Sequence, residues 1–311
     1  MRSRTMIGAP AFLLAMCLPA AGLDGTWAPG HPMPAPRCDH QGFALPDGSL
    51  VVLGGYSSIA PLMHSTSILI LDAGMRSWRT GPDVGRGHAR GCVLRDGQVL
   101  VTGGVSDGMA STRCDLFDPS DGSWSRTADL ALPRAYHVCE ATPDGGALVI
   151  GGRTGDLSGD ETWLTSVERF DPAMGTWTTT DDVAMAGAEA AALPAGVIAV
   201  GGTTGASIGS ARDDGVRIDP SGHVQPIASM GGAYQNMTVT ALRDGRALRT
   251  GGDIMDSPTS PEVVAAVYDA RTDRWQVTAP MAAGRSRHAA VLLGDDSVLV
   301  SGGAGTSTSE V

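Results

Sequence analysis

Short apolar runs of four or five residues, each closed by turn residues, recur along most of the chain. The clearest unit is Arg134–Gly152, RAYHVCEATPDGGALVIGG. A half-apolar run from Ala135 to Thr142 leads into Pro143-Asp144-Gly145, where proline presets φ and glycine accepts a positive φ. A second apolar run, Ala147–Ile150, then ends on Gly151-Gly152. Two such runs around a tight turn predict a β-hairpin. A diglycine at a strand end predicts that a neighbouring backbone or ring packs there too closely for a Cβ.

The hairpin returns as PDGSLVVLGG, RDGQVLVTGG, LPAGVIAVGG, RDGRALRTGG and DDSVLVSGG, so that Gly55, Gly104, Gly152, Gly202, Gly252 and Gly303 fall 48–51 residues apart. A repeat of this length points to stacked or circular sheet units. Downstream of each diglycine come a polar loop, an apolar strand ending in Asp, a turn and usually Trp, as at Trp78, Trp124, Trp177 and Trp275. Each unit therefore predicts four strands. The fourth departs twice, with Val224 at the Trp position and Ala195-Gly196 at the Asp-Gly turn. The sixth stops in its third strand, and Asp24–Trp27 near the other end reads as the missing fourth. Ends that complete one another's sheet predict a closed ring, which removes exposed sheet edges.

The diglycine, the Asp-Pro turn and the Trp six residues after that Asp resemble the kelch repeat, over Asp24 to Val311. The resemblance implies an all-β, six-bladed kelch-type β-propeller with four antiparallel strands per blade, closed by an N-terminal outer strand. It also implies that diglycine and Trp serve packing between blades.

Arg2 and Arg4 precede an apolar run, Met6 to Leu18, and the small residues Ala20, Ala21 and Gly22. This reads as an export signal over residues 1–22, with the propeller over 23–311 and no membrane-spanning segment beyond the signal. The mature protein is then expected in the periplasm, at the cell surface or secreted; Cys17 offers a weak lipid-attachment box. Cys38, Cys92, Cys114 and Cys139 remain, and form either two disulfides or buried free thiols. The formal net charge is -11, against nucleic-acid partners. Every basic residue other than histidine is arginine, which excludes a lysine phosphate loop or Schiff base.

The segments leading into each blade's inner strand ring the central channel at one face, so their side chains are the candidate site. They supply Arg37 and His40, Arg86 and His88, Arg134, Tyr136 and His137, Glu189, Tyr234 and Gln235, and Arg285, Arg287 and His288. The Arg/His lead-ins come from four contiguous blades and face an arginine-free arc of the fourth and fifth. Arginine presents a planar fork to carboxylates, so the arc points to an anionic or polyhydroxylated ligand. The kelch resemblance implies a different use for the same residues, bracing neighbouring loops through backbone carbonyls.

Tyr136-His137 sits in a segment similar to that of galactose oxidase in which adjacent Tyr and His ligate copper, and Tyr234 lies in one similar to that bearing its cross-linked tyrosine. That resemblance implies a copper radical oxidase using Tyr136, His137 and Tyr234. Bacterial sialic acid mutarotases resemble exported six-bladed kelch rings too, which implies Glu189 and His137 as acid–base groups beside the arginine arc. The leading expectation is a monomeric, non-catalytic module without cofactor that binds a protein surface or a glycan through one face. The loop Gly152–Thr165, with Trp163, is its candidate for an additional contact surface.

Overall fold

A computed structural model describes residue 34 and residues 41–310, apart from 55, 60–61, 65, 75, 157–158, 184, 186, 204–210, 255–260, 287, 293–295 and 302–308. The export signal, Cys17, Arg37, Cys38, His40, Arg287 and the proposed closing strand at Asp24–Trp27 lie outside the described residues. No described helix is long and apolar enough to cross a membrane.

The described residues form six radial antiparallel sheets in chain order. Blade 3 runs Val138–Ala141, Ala147–Ile150, Val167–Asp171, Thr176–Thr179, each strand paired to the next. Blades 1, 2, 4 and 5 repeat this four-stranded order, and blade 6 shows Ala289–Leu292, Val298–Ser301 and Ser309–Glu310. Blade 4 is as regular as the rest. Its Pro194-Ala195 turn simply closes a tighter hairpin, pairing Leu193 with Gly196, where blade 3 pairs Ala141 with Ala147.

The second strands of blades 1, 3 and 4 read as continuous apolar runs because both their faces are covered: Leu50–Leu53, Ala147–Ile150 and Gly196–Val200 are buried throughout. Blade faces pack into apolar clusters, such as Cys92, Leu100 and Leu130 of blade 2 against Cys139, Val149 and Phe170 of blade 3. Burial of such surface, at about 25 cal/mol per Å², holds the ring together.

The diglycines do what their sequence position predicts. A Cβ on Gly103 would overlap the carbonyl oxygen of Arg134 in the next blade, and one on Gly251 that of Arg285. The second glycines, Gly104 and Gly152, lie at φ 106° and 95° under the lead-in carbonyls of Gly87 and Ala135. Trp124, Trp177 and Trp275 pack on the aromatic of the third strand, with ring centroids 5.0 Å apart for Phe170 and Trp177. Trp177 Nε1 donates to Ala128 O at 2.9 Å and Trp275 Nε1 to Ala228 O at 3.0 Å, towards the preceding blade.

Blades 2 and 3 carry an addition. Their loops after the diglycine form a separate four-stranded sheet from Val105–Ser106, Met109–Ala110, Arg153–Asp156 and Asp160–Trp163, joined where Met109 pairs with Asp156. The long loop of the sequence is therefore a hairpin standing at the channel mouth.

Candidate functional site

Counting back from the second glycine, one residue fewer in blade 4 because of its shorter hairpin, each blade has the same lead-in positions, and the structure gives each its own task. The arginine position is structural. Arg86 is 3% exposed and donates to Asp115 at 2.7 Å and Val101 O at 3.0 Å. Arg134 is 0% exposed and donates to Gly151 O at 2.9 Å, Ser166 O at 3.0 Å and Glu168 at 2.7 Å. These forks join lead-in, diglycine and third strand, so at Arg86 and Arg134 the bracing role holds, and neither guanidinium faces the mouth. Arg285 is equally buried.

The histidine position is structural too. The Thr102 hydroxyl donates to Arg90 O at 3.1 Å, leaving its oxygen to accept from His137 Nε2 at 2.8 Å. Burial, reinforced by Arg134, Arg90 and Arg86, holds the His137 imidazole well below its usual pKa, so it is neutral. His288 Nε2 lies 2.9 Å from Thr250. His137 and His288 thus each meet a threonine of the preceding blade. Where the lead-in residue is Ala89, Ala188 or Met237, the facing position is Leu53, Ile150 or Val200. Histidine goes with threonine and apolar with apolar. This matching within one chain was a sequence signal for bracing.

Between the two braces sits the position that reaches the mouth. His88, Tyr136 and Asn236 occupy it with φ of 48°, 54° and 53°, joined by Gly187 at 61°. Left-handed backbone costs a residue with a Cβ about 1 kcal/mol or more, and glycine almost nothing. The turn throws these side chains out of the blade interface. The Tyr136 hydroxyl lies 2.6 Å from His88 Nε2, with ring centroids 4.0 Å apart. The Arg153 guanidinium stands 5.4 Å from the Tyr136 ring and 4.2 Å from Trp163. Trp163 in turn lies against Gly187, where a Cβ would come within 3.2 Å of the indole. Arg153 and Trp163, both from the added hairpin, complete a wall of His88, Tyr136, Arg153 and Trp163.

The mouth continues into the channel with half-buried Arg90, Glu140 and Glu189, the last being the first residue of its inner strand. Glu140 accepts from the unpaired inner-edge N–H of Ala192 at 3.2 Å. Withdrawal from bulk water pushes both carboxyls up to about 7, with Arg90 opposing the rise at Glu189. Across the ring, the Asn236 amide donates to Asp253 at 3.1 Å. Tyr234 lies over Arg249, its ring centroid 3.8 Å from the guanidinium. The arc of blades 4 and 5 is therefore not free of arginine: Arg249 arrives from a second strand, which lead-in motifs do not reveal.

The pairing of Tyr136 with His137 as copper ligands does not fit this arrangement. The Tyr136 hydroxyl faces His88 at the mouth, while the His137 ring is held by Thr102 between blades. No cluster of three or more His, Cys, Asp or Glu poised for a metal occurs among the described residues.

A kelch motif model matches residues 134–180, the span from the bracing arginine of blade 3 through its fourth strand. The solved structure of a protein named YjhT superposes with a TM-score of 0.68 at 15% identity, covering 89% of this chain and 93% of that one. A fungal alcohol oxidase of the AA5 family, solved in complex with copper, superposes with a TM-score of 0.57 at 17% identity, covering 90% of this chain and 73% of the oxidase. At these identities the likenesses speak for the fold. The described residues form a six-bladed β-propeller, with a kelch motif in its third blade.

Proposed function

We propose that the channel mouth binds an anionic, polyhydroxylated ligand, an acidic sugar or a glycan bearing one, without turnover. The observation that carries this reading is the run of side chains held in left-handed backbone at one register, His88, Tyr136 and Asn236. Strain at three matched positions, where glycine would relieve it, is retained for what the side chains do. Aromatic faces at Tyr136 and Trp163 suit the apolar face of a sugar ring, and Arg153 supplies charge-assisted donors. The test is calorimetric titration with glucuronate and glucose. Binding is expected to weaken for Tyr136→Gly and Arg153→Gln, both at the exposed mouth. Absence of binding of either sugar to the wild type overturns the reading.

A second reading rests on Glu189. A carboxyl titrating at about 7 can give a proton to a ring oxygen and take one from an anomeric hydroxyl, opening and reclosing a sugar ring. His137 is no partner for it, because its imidazole is locked between blades. Polarimetry of freshly dissolved sugar acid tests this: the reading requires acceleration by wild type that Glu189→Gln abolishes while still binding the sugar.

A further inference from the structure

Blade 5 breaks the bracing rule at three positions at once. In blades 2 and 3 a lead-in arginine meets a third-strand carboxylate, Arg86 with Asp115 and Arg134 with Glu168. Those carboxylates stand opposite Val101 and Val149 of the second strand. In blade 5 the lead-in residue is Tyr234, the third-strand residue is Ala266, and the second-strand residue opposite it is Arg249. The cation has moved to the second strand, and its carboxylate has gone.

The relocated guanidinium is 1% exposed and has no carboxylate within 4.0 Å among the described residues. Its Nε and Nη1 have no hydrogen-bond partner, nor has Nε2 of Gln235, the residue after Tyr234. Among the described residues Tyr234 alone hydrogen-bonds the guanidinium, and Glu262 acts on it only from a distance. A lone desolvated cation with free donors is costly unless something supplies the anion. Tyr234 is half-buried at the mouth and covers Arg249 from that side. Its ring folds onto Gly232, where a Cβ would come within 2.6 Å of it, and Gly231 at φ 76° precedes. Displacing that ring opens the way from the mouth to Arg249.

We propose that Arg249 is the binding group for a carboxylate carried by the ligand, which fills the place that Asp115 and Glu168 fill in blades 2 and 3. As a statement about the mouth's own ligand, this rests on the function proposed above. The anion subsite is tested separately from it.

The first arm follows the arginine Nε–H resonances of isotope-labelled protein during titration with acetate, with chloride at equal ionic strength as control. Arg249, assigned from Arg249→Met, is expected to shift saturably with acetate alone. Ala266→Glu, which restores the internal carboxylate, is expected to abolish that shift. The second arm compares glucuronate with glucose by calorimetry. Glucuronate is expected to bind roughly ten- to a hundredfold more tightly than glucose, and Arg249→Met to remove that preference. An Arg249 resonance as indifferent to acetate as to chloride overturns the subsite, and so does an unchanged preference in Arg249→Met. Acetate binding with neither sugar bound leaves the subsite standing and removes the sugar reading of the mouth. Equal binding of both sugars with no acetate response does the reverse. Should Arg249→Met fail to fold, the acetate response of wild type against Ala266→Glu still decides.

Discussion

Replacing Glu168 with Ala puts the bracing scheme to a direct test. The Glu168 carboxylate is 1% exposed and accepts from Arg134 Nη2 at 2.7 Å, from Ala131 N at 2.7 Å and from Leu132 N at 3.3 Å. Truncation leaves the Arg134 guanidinium, itself 0% exposed, with carbonyl and hydroxyl acceptors but no counter-charge. Breaking a buried pair from one side costs about 3–5 kcal/mol, a large share of the 5–15 kcal/mol that stabilises a typical fold. For a chain of 311 residues the unfolding entropy scales to a fall in Tm of about 5–8 °C. Thermal and urea unfolding followed by circular dichroism at neutral pH measure it. Blade 4 supplies the control, because Met185 and Val216 occupy the two positions there without any ion pair. The double variant Arg134→Met/Glu168→Val should recover most of the loss. A Glu168→Ala protein within about 1 kcal/mol of wild type, or a double variant as unstable as the sum of its parts, would refute the reasoning.

The histidine rule makes a parallel claim. Thr102→Val strips His137 of its Nε2 partner when Nδ1 already has none, and should cost about 1–3 kcal/mol in urea unfolding, whereas Thr102→Leu with His137→Ala copies Leu53 and Ala89 and should cost less. In the channel, carboxyls raised from 4.5 to about 7 mean that the folded state holds protons the unfolded chain has released. Their contribution is full below about pH 4.5 and is lost as pH rises through about 7. The difference in stability between wild type and Glu189→Gln should therefore slope over that window by about 1 kcal/mol, after allowing for channel water; a flat difference contradicts the placement. Cys92 and Cys139, on inner strands of adjacent blades, bring their sulfurs to 3.4 Å. Mild oxidation with diamide should join them, read by peptide mapping as a linked pair with two hydrogens lost. Cys114, whose thiol donates to Thr112 O at 3.6 Å rather than meeting another cysteine, should stay free. Failure to recover the Cys92–Cys139 peptide refutes the juxtaposition.

The periodic features were legible in the sequence because they are local or repeated. A turn needing Pro-Asp-Gly, an apolar run buried on both faces and a diglycine under a carbonyl are each written within a dozen residues, and sixfold recurrence states the architecture. The candidate site was legible only as a set of positions. Lead-in residues were grouped there by chemistry, as arginines and histidines, whereas the fold sorts them by backbone direction: one step in the left-handed region sends Tyr136 to the mouth, and the next residue, His137, goes between blades. Adjacent side chains so divided cannot act together, and no composition or spacing reveals it. Arg153 and Trp163 joined the wall only through a hairpin paired across two blades, and Arg249 only because a strand register sets it opposite Ala266 and beneath Tyr234. The sequence alone determined the repeat, the strands and the ring, since these follow from short-range patterns that each blade must satisfy. Which polar groups face the channel, and which lack a counter-ion, only the tertiary structure decided, because that depends on neighbours about fifty residues away along the chain.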